Sequence, residues 1–254
     1  VVFVNDTVSR WINDTIKADL TPIYEALKEL TKITEIDVAG NESITDLNPL
    51  AELSELHYLD CSGTNVSDIN PIRNLNGIKE LNISDTEITD ISNLKYANVV
   101  QNFKADNNKI SDISIVEYFK DLNYLSISGT DVSDISSLSN CENITKLNLS
   151  ATLVNDITSL SNLFKLNDLD ISNTYVNDLS ALQNIENLHF LNIEGTQVTD
   201  LSVISNLKNL NQINFSNTKI SDLEPLNELP QLSIIYCDHS LVTREGADTF
   251  RAMH

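Results

Sequence analysis

Aspartates recur at a fixed interval along the sequence, and stacked carboxylates can in principle bind calcium. Calcium needs roughly six to eight oxygen ligands, usually gathered by a clustered loop, and the sequence contains no D-x-D-x-D-G segment. Each aspartate instead precedes an apolar pair spaced for a short helical turn, which predicts that it caps backbone N–H groups. The aspartates lie 22 residues apart, at Asp46, Asp68, Asp90, Asp112, Asp134, Asp156, Asp178, Asp200 and Asp222.

The other reactive side chains do not form a catalytic arrangement. Cys61, Cys141 and Cys237 occupy positions where other copies have Leu, Ile, Phe or Ala, which predicts that they are core residues. The four histidines are not clustered at metal-ligand spacing, and no Gly-rich loop precedes a helix. We therefore predict a protein that is not an enzyme, with no catalytic residues, no metal site and no cofactor.

The composition excludes several classes of partner. The chain has 254 residues, 41% of them hydrophobic, which is enough for one sizeable folded unit. Its net charge of -21 would repel phosphate backbones and anionic lipid, so we predict no nucleic-acid partner. No apolar run approaches the roughly 20 residues that span a bilayer, and the opening VVFVNDTVSRW lacks the features of a signal peptide. We predict no membrane insertion and a monomer.

The apolar residues recur with the same 22-residue period. They are expected to form the strands and turns that position the aspartates and the outward side chains. Each copy reads L-x-x-L-x-L-x-x-T-x-V-x-D-I-x-x-L-x-x-L. The L-x-L piece alternates with period two and predicts a short strand, and the second half turns the chain back. One such coil cannot bury its own apolar side, so stacked parallel coils are expected. We predict nine complete coils over residues 33–231 and a tenth strand over residues 232–237.

This consensus resembles the leucine-rich repeat, and its D-I-x-x-L-x-x-L half resembles the 22-residue class of the bacterial internalins, over roughly residues 33–242. The resemblance implies an α/β solenoid. Its form would be a leucine-rich-repeat horseshoe with a parallel concave β-sheet, short 3-10 or α turns on the convex side and helical caps at both ends. One departure is that seven copies carry Thr where internalins usually carry Asn, and only Asn108 matches. We expect the threonine hydroxyls to bond the backbone of the adjacent coil.

Three segments are predicted from where the repeat starts and stops. Residues 1–32 form an N-terminal helical cap whose core includes Trp11, residues 33–242 form the leucine-rich repeats, and residues 243–254 form a C-terminal helical cap. Thr243 is expected to start the last helix, which would present Phe250 and Met253 to the repeats.

The strand positions that the core does not use are where a binding site is expected. Two outward columns alternate with the buried leucines, and large apolar or aromatic side chains in them dominate binding energy at interfaces. Leu153 and Tyr175 follow the strands of adjacent coils and are expected to extend the same surface. The predicted partner-binding residues of the concave face are Tyr58, Tyr124, Leu153, Tyr175, Phe190, Ile234 and Tyr236.

These features predict a non-catalytic protein–protein interaction module, whose acidity favours a partner with a basic patch. Three glycosylation sequons, at Asn82, Asn148 and Asn214, fall in an outward column where glycans would block the sheet, so a bacterial source is favoured. The resemblance implies a bacterial extracellular or cell-surface protein acting in adhesion or host interaction. The alternative is a cytoplasmic regulatory scaffold, or the sensor segment of a larger protein, as the similar repeats of phosphatase-regulating subunits suggest.

Overall fold

The computed structural model describes residues 32–253 and divides the chain into two compact units, Val1–Ser126 and Ile127–His254. Both units are built from the same coil, in which a three-residue strand is followed by a short 3-10 helix. The predicted N-terminal cap, with Trp11, lies outside the described residues apart from Lys32.

In the first unit, strands β1–β5 cover Glu35–Asp37, Tyr58–Asp60, Glu80–Asn82, Asn102–Lys104 and Tyr124–Ser126. Its 3-10 helices η1–η4 cover Asn48–Leu50, Asn70–Ile72, Ser92–Tyr96 and Ser114–Tyr118. In the second unit, strands β6–β10 cover Lys146–Asn148, Asp168–Asp170, Phe190–Asn192, Gln212–Asn214 and Ile234–Tyr236. Its helices η5–η9 cover Ser136–Asn140, Thr158–Asn162, Ser180–Leu182, Ser202–Asn206 and Glu224–Glu228, and α1 covers Arg244–Met253.

Within each unit, every strand pairs in parallel with the strand of the next coil and in the same register. The middle residue of each of the strands β1–β9, such as Leu59 or Leu169, is buried, while its two neighbours point outward. Equivalent residues of adjacent coils therefore lie side by side, about 4.8 Å apart at the strand spacing. This register is what forms the two predicted outward columns.

The core consists of the consensus Leu, Ile and Val positions, most of them less than 3% exposed. Cys61 and Cys141 are buried among them, as predicted. The same prediction is wrong for Cys237, which is only half-buried, as are Leu232 and Ile235 of its coil. In the described chain β10 pairs only with β9, so these side chains are covered by a neighbouring coil on one side alone.

The expected threonine bonding is also wrong. The hydroxyl of each of the seven threonines donates to the carbonyl three residues earlier in its own coil, as from Thr64 to Cys61 at 2.7 Å. Asn108 does reach the adjacent coil, because its Nδ2 donates to the Ile83 carbonyl at 2.8 Å and its Oδ1 accepts from the Thr86 N–H at 2.8 Å. The hydroxyl is attached directly to Cβ, so it falls short of the distance that the longer amide spans.

The C-terminal helix begins as expected. The Thr243 hydroxyl accepts a hydrogen bond from the Gly246 N–H at 3.1 Å, which satisfies one free donor of the first turn of α1. Phe250 of this helix is half-buried. Among residues 32–253, no helix combines the length and the apolar character needed to cross a bilayer.

One residue in each coil has a positive φ, at the turn that follows the strand. Glycine occupies this position in some coils, and Asp, Asn or His in others. Ala151 occupies it at φ +54°. Its N–H donates to the Ser172 carbonyl of the next coil at 2.8 Å, so the strained conformation is fixed by coil-to-coil bonding. Alanine pays a steric penalty there that glycine does not.

Replacing Ala151 by Gly is expected to stabilise the protein by about 1 kcal/mol, because it relieves the Cβ clash of the left-handed conformation. The urea-unfolding midpoint measures this change. The matched control is Ala39, which is exposed in the equivalent turn of the first coil. Ala39 itself does not have a positive φ. Ala39→Gly is expected to lower the midpoint slightly, since it only adds freedom to the unfolded chain. A lower midpoint for Ala151→Gly would contradict the assigned strain.

Candidate functional site

The aspartate ladder is part of the scaffold. In all nine coils Oδ1 of the aspartate accepts a hydrogen bond, at 2.7–2.8 Å, from the N–H two residues later, which is the first residue of the 3-10 helix. The predicted capping is confirmed, although the aspartate lies one residue before the N-cap. In residues 32–253 no group of three or more His, Cys, Asp or Glu side chains is arranged to hold a metal ion.

Hydrogen bonding also sets the acidity of these carboxyls. At Asp200, the backbone N–H of Ser202 and then its hydroxyl hold the pKa below its usual range, because both bonds favour the ionised form. The pKa values of Asp90, Asp134 and Asp156 are lowered by the equivalent Ser or Thr groups.

Asp200→Ala is expected to cost about 1 kcal/mol at neutral pH, since it leaves a helix-start N–H without its acceptor. Because the folded pKa is below the unfolded value, the part of this stabilisation that depends on the charge is present above about pH 4 and is lost as the pH falls through the folded pKa. Urea unfolding of wild type and Asp200→Ala at pH 7 and pH 3 measures it. Asp200→Asn keeps an acceptor oxygen but loses the charge, so its stability at pH 7 should lie between those of the wild type and Asp200→Ala; a wild-type advantage over Asp200→Ala that persists unchanged at pH 3 would refute the role of the charge.

Three of the predicted binding residues come together on the last strands. The outward side chains of β8–β10 are Phe190, Asn192, Gln212, Asn214, Ile234 and Tyr236, which we term the uncharged face. The pairing of β8, β9 and β10 aligns Phe190, Gln212 and Ile234 in one row. Ile234 is 39% and Tyr236 48% exposed, and Phe190 is half-buried. In a chain of net charge -21, six neighbouring outward positions without a charged side chain are a marked local exception.

Leu153 and Tyr175 lie in the same unit but outside its strands. Each follows the buried threonine of its coil, and each donates its N–H to the preceding coil, to the carbonyls of Val132 and Val154. Their side chains are 46% and 54% exposed. They therefore lie exposed at equivalent positions of two adjacent coils, and their continuity with the uncharged face stays a prediction.

The two remaining predicted residues belong to the first unit. Tyr124, on β5, is half-buried, and the ammonium of Lys104 on β4 lies 5.6 Å from its ring centroid. Tyr58, on β2, is also half-buried, and burial raises the pKa of its hydroxyl, with Asp60, Asp37 and Glu80 raising that pKa further. The same column thus places one tyrosine beside a cation and the other among carboxylates.

The sequence reasoning missed four exposed apolar residues, because outside the strand columns it considered only Leu153 and Tyr175. They are Tyr96 at the end of η3, Tyr118 at the end of η4, Phe164 and Leu241. The signal was a departure from the repeat, since the residues that end η5 and η6 are Asn140 and Asn162. Ser126 is an outward residue by its column position, yet the structure buries it. Its hydroxyl donates a hydrogen bond to Asp106 at 2.6 Å.

Known proteins share this coil. The family described as leucine rich repeats (2 copies) matches residues 54–96 and 186–228. An internalin of Listeria monocytogenes, InlF, is 26% identical, with 89% of this chain and 79% of that chain covered and a TM-score of 0.60. InlC2 from the same organism is 28% identical over 66% of this chain and 74% of that chain, with a TM-score of 0.65.

A leucine-rich-repeat protein of Leptospira interrogans has a TM-score of 0.76 over 88% of this chain and 71% of that chain, at 16% identity, which shows the fold alone. No curated protein has significant sequence similarity to the chain. Together with the parallel strands, the 3-10 helices and α1, these similarities confirm the predicted leucine-rich-repeat fold with internalin-like coils.

Proposed function

We propose that this leucine-rich-repeat protein, with its internalin-like coils, is a non-catalytic module that binds another protein, and that the uncharged face of β8–β10 contacts the partner. The leucine-rich-repeat fold is typical of protein-interaction modules. The observation that carries the proposal is the group of Phe190 on β8 with Ile234 and Tyr236 on β10, because all six outward positions of β8–β10 carry uncharged side chains. Exposed apolar groups that are free of charge are typical of the centre of protein interfaces.

Energetics favour this surface over the rest of the outward columns. Burying apolar area yields roughly 25 cal/mol per Å², and large aromatic side chains contribute most to interfaces. Charged outward residues would have to be desolvated instead, as for Asp168, which is paired with Lys146 at 3.1 Å. The uncharged face avoids that cost.

The polar residues of this face are held in place by the scaffold. The Asn192 amide donates to Asp170 Oδ2 at 3.0 Å, and the Asn214 amide donates to Glu194 Oε2 at 3.0 Å. Each asparagine also accepts a backbone N–H from two residues later in its own coil. A surface ordered before binding loses less conformational entropy on association, which supports a preformed site.

The likeness to the two Listeria internalins supports a bacterial surface or secreted protein that takes part in adhesion or host interaction. The net charge of -21 supports a partner with a basic patch, because opposite charge accelerates encounter. Tyr58, Tyr124, Leu153 and Tyr175 are proposed as further contact residues of the same module.

The test is capture of a partner from host and bacterial lysates by the purified protein. A triple variant, Phe190→Ala, Ile234→Ala and Tyr236→Ala, is expected to weaken the captured complex at least tenfold, because it removes the apolar anchors. The matched control changes Tyr96, Tyr118 and Phe164, three equally large exposed residues off the strand columns, to Ala.

The affinity of both variants for the identified partner is measured by calorimetry, after circular dichroism has verified that they are folded. Retained affinity in the control and lost affinity in the first variant supports the proposed face. Equal loss in both, or loss only in the control, would place the binding surface elsewhere and refute the assignment.

A further inference from the structure

Tyr58 and Tyr124 occupy the same outward column of the first unit, and their surroundings differ at one equivalent position. Tyr124 lies opposite Asn102, and Lys104, two residues later on that strand, supplies the ammonium over the Tyr124 ring at 5.6 Å. Tyr58 lies opposite Glu35 in the same way, and the residue two positions later on that strand is Asp37. A carboxylate thus stands where the other tyrosine has its own cation.

Two more carboxylates adjoin Tyr58. Glu80 is its partner across β2 and β3, and Asp60 is two residues later on β2. The pKa of Tyr58 is raised first by burial and then by the charges of Asp60, Asp37 and Glu80, which lie around it in the strand register. A cation above the ring would be attracted by the carboxylates and by the face of the aromatic ring together.

Asp60 is fixed by neutral groups that leave its charge in place. Its Oδ1 accepts the Ser62 N–H at 2.9 Å and the Ser62 hydroxyl at 2.6 Å, and its Oδ2 accepts the Asn82 amide at 2.9 Å. The carboxylate therefore needs no rearrangement to meet a cation. The strands fix the other groups of the cluster in the same way, through the β1–β2–β3 register.

We propose that the outer face of β1–β3 around Tyr58 binds a lysine or arginine side chain of a flexible basic protein segment, with the cation over the Tyr58 ring and between Asp37, Asp60 and Glu80. The choice of a protein segment rests on the proposed protein-binding function. The site itself is separate from the uncharged face and uses a different interaction. It gives the basic partner a defined point of contact in the first unit.

The probe is an acetylated, amidated tetra-arginine peptide, titrated into the full chain while the backbone NMR signals of β1–β3 are followed in low salt. Asp60→Asn is compared with Asp170→Asn, its counterpart in the second unit. Asp170 has the same column position and accepts the same kinds of hydrogen bond, from the Ser172 N–H and the Asn192 amide. Both variants lose one charge and keep the two shared contacts comparable, while Asp60 accepts in addition the Ser62 hydroxyl at 2.6 Å. Circular dichroism and the urea midpoint of both variants verify that this extra contact does not alter the fold.

We expect Asp60→Asn to weaken the peptide several-fold and Asp170→Asn to leave its affinity within a factor of about 1.5, with both affinities falling at high salt. Tyr58→Leu should weaken binding about two- to fivefold, the range that a cation–π contact at an exposed site provides. Asp37→Lys should recreate the Lys104–Tyr124 arrangement and abolish the binding; Asp170→Lys, which changes the net charge equally, should retain most of it.

Equal effects of Asp60→Asn and Asp170→Asn would mean attraction by net charge alone and would overturn the site. An unchanged affinity in Tyr58→Leu, or no binding to wild type, would do the same. Binding of spermine with the same dependence on Tyr58 would assign the face to small polyamines and overturn the choice of a protein segment. The peptide probe has no apolar side chain, so its binding does not depend on the uncharged face. These results can therefore be interpreted even if the proposed function of the uncharged face is refuted.

Discussion

The hydrogen bonding of each coil to the next, in a fixed 22-residue register, is the constraint on which the rest of the protein depends. A strand of three residues has too few contacts to be stable by itself, and one coil cannot bury its own leucines. The same backbone conformation must therefore be repeated in every coil. Equivalent positions of the coils must then have side chains that suit the same burial, turn and hydrogen bonds. The positive φ after each strand, the threonine bond to its own coil and the aspartate at the start of each 3-10 helix all serve this purpose.

The inward residues and the turns meet the main demands of the scaffold, so the outward strand residues vary most in chemistry and are where we propose that recognition occurs. In the first unit these residues make the β1–β3 face acidic around an aromatic ring, and in the second unit they make the β8–β10 face uncharged, with Phe190, Ile234 and Tyr236 among amide side chains. The two faces rest on nearly identical backbones. The different chemistry of the two faces is thus a property of their side chains alone. This is expected where one repeated fold carries different sites.

Much of the fold was predictable because a strict period constrains every copy: strands, helix starts and the buried cysteines of inner coils follow from it. The errors arise where geometry within a coil matters more than the pattern. The threonine hydroxyls bond the backbone of their own coil and not that of the next one, and the partial exposure of Cys237 depends on what covers β10. The contact of Lys104 with Tyr124 joins two columns diagonally, so it is not apparent when each column is considered separately. Tyr96 and Tyr118 were missed because the consensus leaves their position open.

The most direct measurement is site-specific photo-crosslinking of the captured partner. A photoreactive phenylalanine analogue placed at Gln212, in the middle of the uncharged face, is compared with the same analogue at Asn162, which is exposed at the end of η6 in the same unit. Recognition through the outward strand residues predicts a crosslinked product from position 212 and none from position 162. Crosslinking from position 162 alone would show that the partner binds the side of the coils that carries the 3-10 helices, and would contradict the assignment of recognition to the strands.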